Sequence, residues 1–132
     1  MGTRVERQTT VHRPRHLNVL TEAIDNQGRY DAVKLAELLD WSRQEIAQYL
    51  DKDPSAISRN AASLNYQQAL SELAATFLHL LELMENDLKA ARAWLRTPIK
   101  VLDGKSPKEK ILRHDLGTVD ALLSEAESGL SV

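Results

Sequence analysis

The sequence predicts an all-α protein, and three observations carry that reading. Ala, Leu, Glu, Gln, Lys and Arg, all good helix formers, dominate the chain. Aromatic residues are scarce at 5%, and no alternating apolar and polar run of useful length suggests a strand. Apolar residues recur at three- and four-residue steps between recognisable cap and stop signals. With 132 residues, 42% of them hydrophobic, the chain can build one medium core or two small ones. The expected order is a flexible basic arm over 1–16, a helix-turn-helix bundle over 17–64 and a small helical domain over 65–132.

Leu17, Leu20 and Ile24 mark a first amphipathic helix, with Gly28 as its stop. Asp31 caps a second helix whose apolar residues are Val33, Leu35, Leu38 and Leu39. Trp41 follows and reads as core. Ser42 and Glu45 then form a capping box, and Ile46, Ala47 and Leu50 give the next helix its apolar face. Ala47 is small where another helix must cross. Asp51 stands where a tight turn needs a left-handed residue, which Asp tolerates. Asp53 can cap the following helix, and Pro54 suits its first position.

Ile57 points inward, which leaves Ser55, Ser58, Arg59 and Asn60 facing out. Short polar residues beside one Arg suit a major groove, and Arg can bond a guanine through two donors. The candidate DNA-binding set is Arg43, Pro54, Ser55, Ser58, Arg59 and Asn60. Charge gives this reading little help. Residues 17–60 hold five basic residues (Arg29, Lys34, Arg43, Lys52, Arg59) against eight acidic ones. The arm carries Arg4, Arg7, Arg13 and Arg15 against Glu6, a balance of 4 − 1 = +3, so phosphate affinity must come from the arm, a few placed residues or dimerisation.

From Tyr66 the apolar pattern strengthens. Leu70, Leu73, Phe77, Leu80, Leu81 and Met84 share a stripe, with Leu78 and Leu83 off it. Such a helix needs cover on more than one side, as a core helix or as half of a homodimer interface, and the homodimer is the expectation. His79 reads as a surface or interface residue. Asn86 and Asp87 break and re-cap the chain; Leu88, Ala91, Trp94 and Leu95 form the next stripe, which Pro98 ends. Residues 97–105 are a loop. Ser106 and Glu109 form a second capping box around Pro107, with Ile111 and Leu112 apolar and Gly117 as the stop. Val119, Leu122, Leu123 and Ala126 mark the last helix, and Gly129 closes it before Leu130-Ser131-Val132.

Several classes are excluded. There is no cysteine, so disulfide scaffolds, zinc fingers and thiol nucleophiles drop out. His12 and His16 lack neighbouring carboxylates, so no metal site is expected, and no cofactor is. Without a Gly-rich phosphate loop or a nucleophile–base constellation, an enzyme is disfavoured. No membrane span or signal peptide is visible, and the expected location is the cytoplasm.

The run Ala90-Ala91-Arg92-Ala93-Trp94-Leu95-Arg96-Thr97-Pro98, then Leu102 to Pro107, Ile111-Leu112, Gly117 to Leu123 and Gly129-Leu130 resembles the toxin-binding domain of the Xre/MbcA/ParS antitoxins, the partners of RES-domain toxins. The resemblance covers residues 66–132, and such antitoxins carry an Xre-like helix-turn-helix upstream. Ile99 departs from the pattern, where Asn commonly follows the proline, as do Lys108 and Lys110. The resemblance implies a protein without catalysis. It would neutralise an NAD-consuming toxin by covering the active-site cleft, and repress its own operon by binding operator DNA. It also implies a partner-binding set of Trp94, Gly104, Pro107, Leu123, Gly129, Leu130 and Val132, with the tail as the plug. Competing readings are a dimeric helix-turn-helix repressor without a toxin and an adaptor whose helix-turn-helix has lost DNA.

Overall fold

The computed structural model describes residues 19–129. The basic arm and tail residues Leu130 and Val132 therefore lie outside the described residues. Every regular element within them is helical; the β features are two isolated antiparallel bridges, Ile24 with Tyr30 and Ile99 with Lys105. The helices are α1 (Ala32–Leu39), α2 (Arg43–Leu50), α3 (Pro54–Arg59), α4 (Gln67–Leu83), α5 (Leu88–Arg96), α6 (Pro107–Leu112) and α7 (Leu116–Glu127). Short 3₁₀ turns at Leu64–Tyr66 and Lys100–Leu102 precede α4 and α6.

The caps fall where side-chain chemistry puts them. Asp31 accepts from the Lys34 N–H and Asp87 from the Ala90 N–H, which starts α1 and α5. Both capping boxes form: Ser42 with Glu45 on α2, and Ser106 with Glu109 on α6. The Ser106 N–H holds the Glu109 carboxyl below its usual pKa. Asp53 is a different case. It makes no side-chain cap bond; its carboxylate accepts the Ser55 hydroxyl at 2.6 Å instead.

Helix ends depart from the glycine signals. Four close in the Schellman pattern through non-glycine residues at positive φ: Asp40 (64°), Asp51 (58°), Glu85 (56°) and His114 (64°). In each, the following N–H reaches back five residues, as from Lys52 to Ala47 at 2.9 Å and from Asp115 to Lys110 at 2.9 Å. Gly117 does not stop α6; His114 does, and Gly117 lies in the first turn of α7. Gly28 is likewise not a helix stop, because the first helix is over by residue 21. The Asp25 carboxylate accepts the N–H groups of Gln27 and Arg29, both at 2.9 Å, and this local turn outcompetes further helix.

The stripe over 66–84 builds the centre of the molecule. Leu70, Leu73, Ala74, Phe77, Leu80 and Leu81 are all buried inside this one chain. They meet α1, α5 and α7, which cover α4 from different sides. The placement of a dimer interface on that face is therefore corrected: the chain supplies the cover itself. A single apolar cluster runs from Leu20 through Ile46, Ile57 and Phe77 to Leu123. Trp41 belongs to it as expected, although its buried indole N–H has no partner.

Polar bonds join the helix-turn-helix to the C-terminal helices. The Tyr49 hydroxyl donates to the Ala69 carbonyl at 2.6 Å, and Arg92 Nε donates to the Leu38 carbonyl at 2.8 Å. Gln67 clamps Tyr30 by accepting its N–H and donating to its carbonyl, at 2.8 and 2.9 Å. Lys108 Nζ lies 2.6 Å from Glu45 Oε2, so the second capped helix is tied to the first capping box.

Candidate functional site

The outward face of the helix-turn-helix is built from α2, the turn at 51–53 and α3. Ala47 is buried to 1% exposure and Ile57 completely, which sets the two helices close together. Asp51 supplies the left-handed turn at φ 58°. Arg43 opens α2, and its Nη1 donates to the Ser58 hydroxyl oxygen at 3.1 Å. The fold thus brings two of the six candidate DNA-binding residues together from positions fifteen apart. Ser58 keeps its own hydroxyl donor for another acceptor. Ser55 has turned its hydroxyl toward Asp53, so it presents less free donor than the sequence suggests. Pro54 opens α3 half-buried; Arg59 closes it exposed, and Asn60 follows as an exposed cap.

The second surface is an apolar groove of about 500 Å³. Leu83 and Met84 from the end of α4, Trp94 from α5, Ile99 from the loop, and Leu122 and Ala126 from α7 form most of its wall. Trp94 is half-buried, and Leu123 reaches the groove floor while almost fully covered. Ile99 also belongs to the neighbouring surface patch of Pro98, Lys100 and Val101, where Val101 is 63% exposed. Apolar surface therefore continues past the groove rim.

The expected partner-binding residues divide. Trp94 and Leu123 line the groove. Gly104 does not: it takes φ +80° in the turn after Lys100–Leu102, with open space where a Cβ would stand. Pro107 is fully buried at the start of α6, and its setting is local. Gly129 ends α7 at φ +83°, beyond Ala126 on the groove wall.

Sequence reading missed the groove as a unit. The available signal was Leu83, an apolar residue off the main stripe of its helix, with Ile99 in a polar loop. It also missed the electrostatics behind the two departing lysines. Lys108 pairs with Glu45, and Lys110 with Asp115 at 3.1 Å. Partial burial raises the Glu45 carboxyl, but Lys108 and the Ser42 N–H outweigh it and hold the group below its usual value. Thr118 and Lys110 do the same for Asp115. His79 shares its Nε2 with Glu127 at 2.8 Å, which ties α4 to α7.

No cluster of His, Cys, Asp or Glu suited to a metal occurs among the described residues. Nor is any described helix long and apolar enough to cross a membrane.

Among the described residues, fold and site together give an all-helical protein, with a helix-turn-helix packed on a C-terminal unit that presents an apolar groove. Residues 79–129 match the family model of the antitoxin Xre/MbcA/ParS C-terminal toxin-binding domain. Every groove-lining residue falls inside the matched segment. The comparisons with curated proteins and with solved structures give no match.

Proposed function

We propose that this protein is the antitoxin of a RES-type toxin–antitoxin pair, acting without catalysis. It neutralises an NAD-consuming RES-domain toxin by blocking the active site, and it represses its own operon through the helix-turn-helix in the cytoplasm. The observation that carries this reading is the apolar groove lying wholly within the toxin-binding segment. Trp94 and Leu123 offer the toxin apolar surface, and Gly129 directs Leu130 and Val132 into its cleft. Burying such small side chains costs little conformational entropy compared with ordering a long one. Gly104 and Pro107 serve the same interface by shaping the loop and the start of α6.

On the DNA side, Arg59 and Ser58 read bases, and Arg43, Pro54 and Ser55 sit toward phosphate, with Asn60 at the edge. A homodimer presents two recognition helices to a palindromic operator. Since the α4 face is internal, the dimer contact lies elsewhere, and light scattering at micromolar concentration tests for it. The decisive experiment is co-expression with a RES-domain toxin. The intact chain should restore growth, preserve cellular NAD and copurify with the toxin. Ala126→Arg on the groove wall should abolish all three while helical content stays unchanged. Failure of the intact chain to copurify or to restore growth refutes the toxin reading.

A further inference from the structure

Three cations belong to α6 and the turn that follows it: Lys108, Lys110 and Arg113. Two are engaged inside the fold, Lys108 by Glu45 and Lys110 by Asp115. Arg113 is exposed and enters no ion pair among the described residues. Glu109, one turn back, feels its charge, but that carboxylate is held by the Ser106 N–H at 2.9 Å.

α6 lies along α2 in the same sense. Lys108 meets Glu45 near its start, and Gln48 Nε2 donates to the Leu112 carbonyl at 3.2 Å at its end. Arg113 therefore arrives beside the turn at 51–53, and the two turns face each other across an open cleft lined by Asp51, Lys52, Asp53, Arg113 and His114. The turn carrying Arg113 is fixed. His114 takes φ 64°, the Asp115 N–H bonds the Lys110 carbonyl, and the Asp115 carboxylate accepts the Thr118 hydroxyl at 2.8 Å.

That cleft adjoins the start of α3, whose N-cap is Asp53. A recognition helix works with its N-terminal end against DNA, so phosphate passes nearby. The helix-turn-helix alone is poorly charged for this: Asp51 and Asp53 flank Lys52, a balance of 1 − 2 = −1. Arg113 brings the cleft to zero and sets a long side chain with several donors at its edge. Near the other end of α3, Arg43 reaches Ser58. Cations thus stand at both ends of a six-residue helix, which is about 9 Å long. A major groove about 12 Å wide has phosphate on both sides of whatever fills it.

We propose that Arg113, together with Lys52, contacts phosphate at the N-terminal end of the recognition helix, so that the C-terminal unit supplies part of the DNA surface. This rests on the DNA-binding reading of the helix-turn-helix.

A phosphate contact positions the protein without reading sequence, and its signature is salt dependence. The test measures binding of the intact chain, Arg113→Gln, Arg113→Lys and Arg59→Ala by fluorescence anisotropy between about 50 and 200 mM salt. One duplex is the region upstream of the chain's own reading frame; the other is a scrambled sequence of the same composition. Arg113→Gln should weaken both duplexes by the same factor. It should also flatten the slope of log affinity against log salt by about 0.9 for each Arg113 removed. Over that salt range the intact chain then loses about 3.5-fold more affinity per contact than the variant. Arg113→Lys keeps the charge and should keep the slope, whereas Arg59→Ala should weaken the upstream duplex alone.

An Arg113→Gln slope equal to that of the intact chain overturns the proposal, whatever happens to the thermal midpoint. So does a loss confined to the upstream duplex, which would make Arg113 a base reader, or a slope lost in Arg113→Lys. If Arg59→Ala still weakens the upstream duplex, the DNA-binding reading survives that failure. If the intact chain binds neither duplex, that reading falls and the phosphate contact falls with it.

Discussion

Replacing Lys108 with Met tests whether the helix-turn-helix and the C-terminal helices are joined by charge as well as by apolar packing. Lys108 Nζ sits 2.6 Å from Glu45 Oε2, with side chains 17% and 30% exposed. Fully exposed ion pairs contribute about 0.2–1 kcal/mol. This pair is better shielded, and Glu45 is already held by the Ser42 N–H at 2.8 Å, so less side-chain entropy opposes it. A coupling of about 1 kcal/mol is expected, roughly a fivefold change in the folding equilibrium. Glu45→Gln isolates it, because Gln still closes a capping box while the charge is gone. A double-mutant cycle by urea unfolding measures the coupling. The pH dependence gives a second handle. The folded-state pKa of Glu45 lies below its ordinary value of 4.5. Its stabilisation is therefore present above about pH 4.5 and is lost as the pH falls through the lowered folded value. Lys108→Met should flatten that acid limb. A coupling near zero, with an unchanged acid limb, would refute the reasoning.

Phe77→Ala, which empties the centre of the shared cluster, should cost about 3–5 kcal/mol in chemical denaturation; a loss under 1 kcal/mol would show that the site collapses freely. Asp51→Val forces a β-branched residue into the left-handed turn and should cost about 1–2 kcal/mol, read as a lower thermal midpoint. Burial pushes the Tyr49 hydroxyl up to about 12. Its stabilisation is complete below pH 10 and is lost as the pH rises from there toward 12, so Tyr49→Phe should flatten the alkaline limb of a pH-stability curve. Arg59→Ala should weaken operator binding by about 1–3 kcal/mol per half-site and leave toxin inhibition unchanged; wild-type footprints at physiological salt would remove Arg59 from the reading set.

The C-terminal unit shows how far residue patterns reach. Ser106, Pro107 and Glu109 act within four positions of one another, so their capping box is visible before folding. The stripe of α4 was equally visible, but its partner was not. Apolar residues on several sides demand cover without saying whether the same chain or another supplies it. The stop of α6 was read through Gly117, and the fold placed it at His114, whereas Asp51 takes the left-handed turn expected of it after α2. A left-handed residue followed by a backbone bond of 2.9 Å is enough, and many residue types pay that local strain when packing fixes the next segment.

By itself, the sequence determined the helical class, the N-caps at Asp31, Ser42, Asp87 and Ser106, the inward Ile57 and outward Arg59, and the C-terminal family pattern. Each depends on residues within about two helical turns of one another, where spacing fixes geometry. Only the tertiary structure decided what those faces meet. It set Arg43 against Ser58, Lys108 against Glu45 across sixty-three positions, and α7 beside the end of α4 so that a groove opened between them. Those contacts join segments whose separation along the chain carries no period, so nothing short of the packed core specifies them.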